Sequence, residues 1–249
     1  MRTSISDIEE YKSICLKSAT EDVYFNNFKR NPAYTSIIPG IDNKNFIYYG
    51  KKYLEIIDKS NFDFNKLSLI KKNDIVGNDY LEDYGPPFGK ISTVTLRYLK
   101  VLLEIESIFG KIDGKNIVEI GVGYGGQCLL FMNYFKPKSY TLIDLPEVLQ
   151  LCKRYLAEYN NINFVPYDQI NNEHYDLAIS NYAFSECDKN IQLKYIDIFK
   201  NSKNGYITYN QISNLFGIDS LSANEFKNIM NCKFMEENPK TDSNIIFYW

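Results

Sequence analysis

Asn116-Ile117-Val118-Glu119-Ile120-Gly121-Val122-Gly123-Tyr124-Gly125-Gly126 is the stretch that decides the fold. Its first five residues read as a short strand. The glycines that follow suit a tight turn into a helix, where a ligand meets bare backbone with no Cβ in the way. Working outward, segments 140–144, 162–167, 175–180 and 205–210 repeat the short apolar pattern, and helical patterns fall near 126–135, 146–159 and 189–201. Strands alternating with helices imply a parallel sheet covered on both faces. The tail breaks the alternation. Segments 232–237 and 244–249 are two strands around the polar turn Asn238-Pro239-Lys240, so they run antiparallel to each other. The expected class is α/β: a Rossmann-like parallel sheet with a reversed C-terminal strand.

Upstream the chain reads differently. To about residue 80 it is a series of short helices broken at Asn31-Pro32, Pro39-Gly40 and Gly50, and Asp83-Tyr84-Gly85-Pro86-Pro87-Phe88-Gly89 is a dense turn signal. From Ser92 to Phe109, Val94, Tyr98, Val101, Leu102, Ile105 and Ile108 recur at spacings of three and four, a helix with one buried face that Gly110 is placed to end. The expected division is a mostly helical segment, 1–110, shaping an acceptor pocket or lid, followed by a nucleotide-binding domain, 111–249.

Gly121, Gly123 and Gly126 match G-x-G-x-x-G, a pattern shared by nicotinamide dinucleotide and S-adenosylmethionine sites, and Tyr124 and Gly125 complete the loop. Two neighbours favour S-adenosylmethionine. Glu119 stands two residues before the first glycine, where methyltransferases commonly carry an acidic residue that orients the methionine end. Asp144 ends the next strand eighteen residues after Gly126, where a carboxylate accepts ribose hydroxyls, and Leu145 is placed against the adenine face. A dehydrogenase usually opens with this motif, whereas about 110 residues precede it here. The plain alternative is a glycine-rich turn with a buried carboxylate and no nucleotide.

At the end of the third strand Asp168, with Gln169 beside it, is a candidate for the adenine amino group or else an exposed loop residue. After the fourth strand comes Ser180-Asn181-Tyr182-Ala183-Phe184-Ser185-Glu186-Cys187-Asp188. Asn181 and Tyr182 are placed to line the cleft between cofactor and acceptor. Tyr182, Glu186 and Asp188 are the catalytic candidates, the two carboxylates as bases for an acceptor hydroxyl. The competing reading is that both carboxylates cap the following helix. His174, the only histidine, falls at the amino end of the sheet and reads as a solvated loop residue.

Bulk properties narrow the classes. With 28 basic and 31 acidic residues the net charge is −3, and no basic stripe marks a nucleic-acid binder. No run approaches ~18 apolar residues, so no membrane span is expected, and the first residues lack the apolar core of a secretion signal. Cys15, Cys128, Cys152, Cys187 and Cys232 are scattered, odd in number and without a C-x-x-C pair. Neither a disulfide framework nor a metal site is expected, and a reducing cytoplasm fits.

With these residues in view, the sequence resembles a bacterial family of sugar O-methyltransferases, class I enzymes that use S-adenosyl-L-methionine. The likeness runs over most of the chain. It includes Phe28-Lys29-Arg30-Asn31-Pro32, Gly85-Pro86, Leu96-Arg97-Tyr98, 118–126, Ile143-Asp144-Leu145-Pro146-Glu147-Val148, 180–186 and the closing 244–249. Segment 143–148 is also similar to plant small-molecule O-methyltransferases, whose catalytic histidine after the fourth strand has no counterpart here. The resemblance implies a small-molecule acceptor: a sugar, a nucleotide sugar or a surface-polysaccharide precursor. It also implies that Asp83 to Tyr98 folds over the cofactor, with Gly85 letting the backbone approach. Arg97 would meet the methionine carboxylate or make a structural salt bridge. Holding acceptor and methyl in line supplies roughly 7–11 kcal/mol and a general base about 10²–10⁴-fold, so a missing histidine does not exclude the chemistry. For a neutral hydroxyl the expected base is Glu186 first and Asp188 second. An anionic phosphate or phosphoramidate oxygen would need none.

Overall fold

Polar-rich, interrupted sequence supports only short helices, and the N-terminal part of the computed structural model is built from them. Residues 2–37, 45–171, 173–241 and 244–249 are described; the Pro39-Gly40 break lies outside them. The helices are α1 (Glu9–Thr20), α2 (Asp22–Phe25), α3 (Pro32–Thr35), α4 (Phe46–Ile57) and α5 (Leu67–Ile70). Asn31 caps α3, its side chain accepting the Ala33 N–H at 3.0 Å with Pro32 at the first helical position. Gly50, expected as a break, lies inside α4. Its bare backbone receives the Tyr84 phenol, whose oxygen would stand 1.8 Å from a Cβ. The turn signal at 83–89 is the tip of a hairpin, β1 (Leu81–Asp83) and β2 (Lys90–Ser92), with Leu81 opposite Ser92. Strands of three residues are too short for an alternating pattern to show.

Helix α6 (Thr93–Phe109) begins at Ser92, whose side chain accepts the Val94 N–H at 3.1 Å, and ends at Gly110 with φ +77°. It is buried on more than the one expected face: Leu96, Leu99, Lys100 and Leu103 are also inside. The reason is that α4 covers the side its amphipathic pattern leaves open. Lys100 is neutralised by Glu104 at 2.9 Å, and Glu104 also accepts the Tyr206 hydroxyl at 2.6 Å.

The strands of the second half are β3 (Asn116–Ile120), β4 (Ser139–Asp144), β5 (Ile162–Pro166), β6 (Leu177–Asn181), β7 (Gly205–Tyr209), β8 (Lys233–Glu236) and β9 (Ile245–Tyr248). Between them run α7 (Gly126–Tyr134), α8 (Pro146–Tyr155), α9 (Lys189–Lys200) and α10 (Ala223–Met230). The sheet order is β5-β4-β3-β6-β7-β9-β8. The first five are parallel, and β9 runs antiparallel to both of its neighbours. This is the expected Rossmann-like sheet, with the reversed strand inserted between β7 and β8. Because strand side chains alternate, Ile117, Leu177, Tyr206 and Ile246 pack with α6, α7 and α8, while Val118, Ala178, Ile207 and Phe247 pack with α9 and α10. Helix α1 lies against α8, and side chains from both sides of residue 110 share one buried cluster. Strand order reverses between β3 and β6, which opens a crevice at their carboxyl ends, where open α/β sheets bind ligands.

Candidate functional site

The loop after β3 is shaped by close approach. Gly121, Gly123 and Gly125 have φ of +74°, +54° and +88°, values that favour residues without a Cβ. A Cβ on Gly121 would lie 1.8 Å from that of Ala183, so the loops after β3 and β6 touch at this glycine. Gly126 is pressed by the Tyr98 ring, 2.5 Å from where its Cβ would stand. Asp144, at the end of β4, ties the loop down. Its Oδ2 accepts the N–H groups of Val122 at 2.7 Å and Gly123 at 3.3 Å, and its Oδ1 that of Leu145 at 2.7 Å. Burial pushes its carboxyl up to about 6 against the pull of these donors. Three of roughly four lone-pair positions are thus engaged.

A cavity of about 460 Å³ opens beside this loop, within the roughly 300–1,000 Å³ range of small-molecule sites. Gly121, Gly123, Asp144 and Leu145 line it. So does Glu119, 3% exposed, which accepts the Tyr140 hydroxyl at 2.7 Å; burial pushes its carboxyl up to about 8. From α6 come Arg97 and Tyr98. The Arg97 guanidinium lies 5.5 Å from the Tyr98 ring centre and 5.7 Å from that of Tyr182, and no carboxylate stands within ion-pair distance of it among the described residues. Asn181, Tyr182 and Glu186 form a further wall. Glu186 accepts the Asn210 amide at 2.6 Å, and burial raises its carboxyl.

Other candidates fall outside the cavity. Asp188 caps α9, its Oδ1 accepting Asn190 N–H at 2.8 Å and Ile191 N–H at 3.0 Å. The Tyr124 hydroxyl exchanges hydrogen bonds with the buried Asn73 side chain, facing the N-terminal helices. Gly125 and Gly126 back the loop without lining the cavity, and Gly85 sits at the β1–β2 tip. Asp168 and Gln169 are exposed, and Tyr167 is the residue of that strand end that faces the cavity.

Several walls gave no sequence signal. Thr3 to Ser6 line the cavity because this strap pairs with the loop after β6: Ile5 N–H donates to Glu186 O at 3.1 Å and Asp188 N–H to Thr3 O at 2.8 Å. Tyr49 and Tyr53 arrive on α4, and Thr241 and Asn244 from the β8–β9 connection. Strand β8 runs parallel to β7, so this connection leaves from the same carboxyl edge as the glycine loop, a placement that topology alone could have flagged. Among the described residues no three His, Cys, Asp or Glu side chains converge as metal ligands, and no helix is long and apolar enough to cross a membrane.

No family model matches the chain. The fatty-acid O-methyltransferase of Mycolicibacterium smegmatis is 29% identical over 89 residues, 34% of this chain and 32% of that protein, so the chain spans about a third of that relative's length. Solved structures similar to it include an N-methyltransferase from Bradyrhizobium japonicum, with 13% identity and a TM-score of 0.49 over 61% of this chain and 92% of that one. Another is an S-adenosylmethionine-dependent methyltransferase from Mesorhizobium loti, with 11% identity and a TM-score of 0.46 over 58% and 94%.

Proposed function

We propose that the chain is an S-adenosylmethionine-dependent O-methyltransferase acting on a hydroxyl of a sugar or surface-polysaccharide precursor. The observation that carries this reading is the charge of the cavity. Three carboxyl groups, the buried Glu119 and the half-buried Asp144 and Glu186, line it with Arg97 as the only Lys or Arg among the described lining residues. A dinucleotide would bring a pyrophosphate to these carboxylates, whereas S-adenosylmethionine brings a sulfonium and an ammonium. Like charges in a buried site repel and opposite charges pair. The reversed strand β9 also separates this sheet from the parallel order of dinucleotide-binding domains.

The residues present fit the cofactor, which supplies a methyl group already activated by a positive sulfur. Asp144, with three N–H donors on roughly four lone-pair positions, would accept a ribose hydroxyl on the fourth. Glu119 would pair with the ammonium and Arg97 with the carboxylate of the methionine moiety. Asn181 and Tyr182 hold the acceptor side, where alignment is the larger part of the catalysis.

The acceptor side favours a hydroxyl. Glu186 presents a carboxylate, and the Tyr182 phenol spends its one proton on Glu237, which leaves it only lone pairs to offer a ligand. These groups match a hydrogen-bond donor and oppose the negative charge of a carboxylate acceptor such as an ionised fatty acid.

Calorimetric titration with S-adenosylmethionine, S-adenosylhomocysteine and NADH tests the reading, with Asp144→Ala beside the unaltered protein. The adenosyl ligands should bind in the micromolar range and lose affinity in the variant; binding of NADH alone would overturn it. A screen of nucleotide sugars against octanoate with methyl-labelled cofactor then tests the acceptor, and labelling of octanoate alone would refute the hydroxyl assignment.

A further inference from the structure

Tyr182 is one of three non-glycine residues with positive φ among the described residues, at +69°. That backbone is disfavoured for a bulky side chain and persists where surroundings impose it. Here they do. Its N–H donates to Thr208 O at 2.8 Å, and its carbonyl accepts the Ser185 N–H at 2.9 Å. Its phenol donates to Oε1 of Glu237, the first residue after β8, which is 8% exposed. The other oxygen of Glu237 accepts the Thr241 hydroxyl and the Asn244 amide, the latter at 2.7 Å, and both of those residues line the cavity. Oε2 is therefore occupied twice, while Oε1 takes the Tyr182 phenol. A carboxylate buried behind the cavity wall thus holds three of its lining residues, Thr241 and Asn244 on one oxygen and the Tyr182 phenol on the other.

We propose that Tyr182 and Glu237 form a relay that removes the acceptor's hydroxyl proton during methyl transfer; this rests on the methyltransferase reading above. As the acceptor oxygen forms its bond to the methyl carbon, the carbon–sulfur bond breaks and its electron pair stays on sulfur. The hydroxyl proton passes to Tyr182 Oη, and the phenol proton passes to Glu237 Oε1. Charge balances: the sulfonium loses its positive charge as the Glu237 carboxylate loses its negative one. Tyr182 is the group placed to touch the acceptor, and Glu237 is a positioning residue that also stores the proton. Asp188 is engaged in capping α9, and Glu186, held by Asn210, is the competing base.

Glu237→Gln keeps the size of the side chain and an oxygen to accept the phenol proton's hydrogen bond, but it cannot take up a proton. Tyr182→Phe keeps the ring and removes the relay atom. The first readout needs no ligand: urea unfolding of the two variants, their double variant and the unaltered protein. The changes should be non-additive by roughly tenfold in the unfolding equilibrium constant, and strict additivity would dissolve the dyad. The second readout uses water as the hydroxyl acceptor and follows labelled methanol formed from methyl-labelled S-adenosylmethionine. Each variant should form methanol about 10²-fold more slowly, with the double variant no slower than Tyr182→Phe. A Glu237→Gln rate equal to that of the unaltered protein, or a loss confined to Glu186→Gln, overturns the relay. Calorimetry on the same samples keeps the two questions apart, since a protein that does not bind S-adenosylmethionine fails the functional reading itself.

Discussion

Replacing Glu119 with Gln should stabilise the ligand-free protein at neutral pH while weakening its hold on the cofactor. Glu119 is fully buried, and burial moves its carboxyl from an ordinary 4.5 to about 8. Between those values the folded chain holds a proton that the unfolded chain has released, so stability falls as pH rises from about 4.5 to about 8. At 1.36 kcal/mol for each tenfold change in the acid constant, the cost at pH 7 is about 3 kcal/mol. Gln copies the protonated carboxyl and keeps an oxygen for the Tyr140 hydroxyl, but it brings one more N–H to satisfy, which costs about 1 kcal/mol. The variant should therefore be more stable by about 2 kcal/mol at pH 7 and about equal at pH 5. Urea unfolding followed by circular dichroism from pH 5 to 8 measures this, and the slope due to Glu186, which does not interact with Glu119, cancels in the difference. Affinity for S-adenosylmethionine should drop by about tenfold or more, because a charge-assisted contact to the ammonium is lost. Parallel stability curves for the two proteins would show that Glu119 is not desolvated, and so would a variant less stable at pH 8 than at pH 5 relative to the unaltered chain.

Gly121→Ala should cost about 3 kcal/mol, from a positive φ and from the Ala183 contact at 1.8 Å, and abolish cofactor binding; a Tm within a degree of the unaltered protein would remove the close-approach argument. Asp188→Ala should cost about 1 kcal/mol by uncapping α9 and lower Tm by roughly 2–4 °C with cofactor affinity intact, which differential scanning calorimetry and titration check together. Lys29 is buried against the Tyr124 ring, 4.5 Å from its centre, and burial lowers its ammonium from 10.5 to about 8. Between pH 8 and 10.5 the unfolded chain therefore binds the extra proton, and stability rises with pH by about 3 kcal/mol from this group. Lys29→Met should remove that rise in urea titrations, and an unchanged slope would show that the lysine is not desolvated.

The elements legible in the sequence are those whose pattern is set by burial on both sides. Strands β3 to β7 read as apolar runs because helices cover each face, and α6 was marked at both ends by Ser92 and Gly110. Gly50 misled because a glycine within a helix looks like a stop unless one knows that Tyr84 packs over it. Glu186 and Asp188 are two residues apart in one acidic loop, and composition does not separate them. Geometry does: Asp188 has the extended backbone of an N-cap, φ −64° and ψ 157°, while Glu186 ends a short 3₁₀ turn and reaches Asn210.

The same contrast divides the two ends of the cavity. Glu119, Gly121, Gly123, Asp144 and Leu145 come from one strand–helix–strand unit of consecutive sequence, so their spacing is fixed by the local geometry of β3, α7 and β4 and carries a motif. Tyr53, Asn210, Asn244 and Glu237 come from three separate parts of the chain, brought together where α4 and the β7 and β8 ends meet. Nothing in their spacing constrains them, and each is an ordinary polar residue in its own segment. Glu237 in particular opens a polar turn between two strands and reads as solvated surface. It becomes a buried partner of Tyr182 only because inserting β9 between β7 and β8 lays that turn across the carboxyl edge of the sheet. A cofactor shared by many proteins is held by the local unit, while the groups that distinguish one acceptor from another are contributed by whatever segments the topology delivers to that edge.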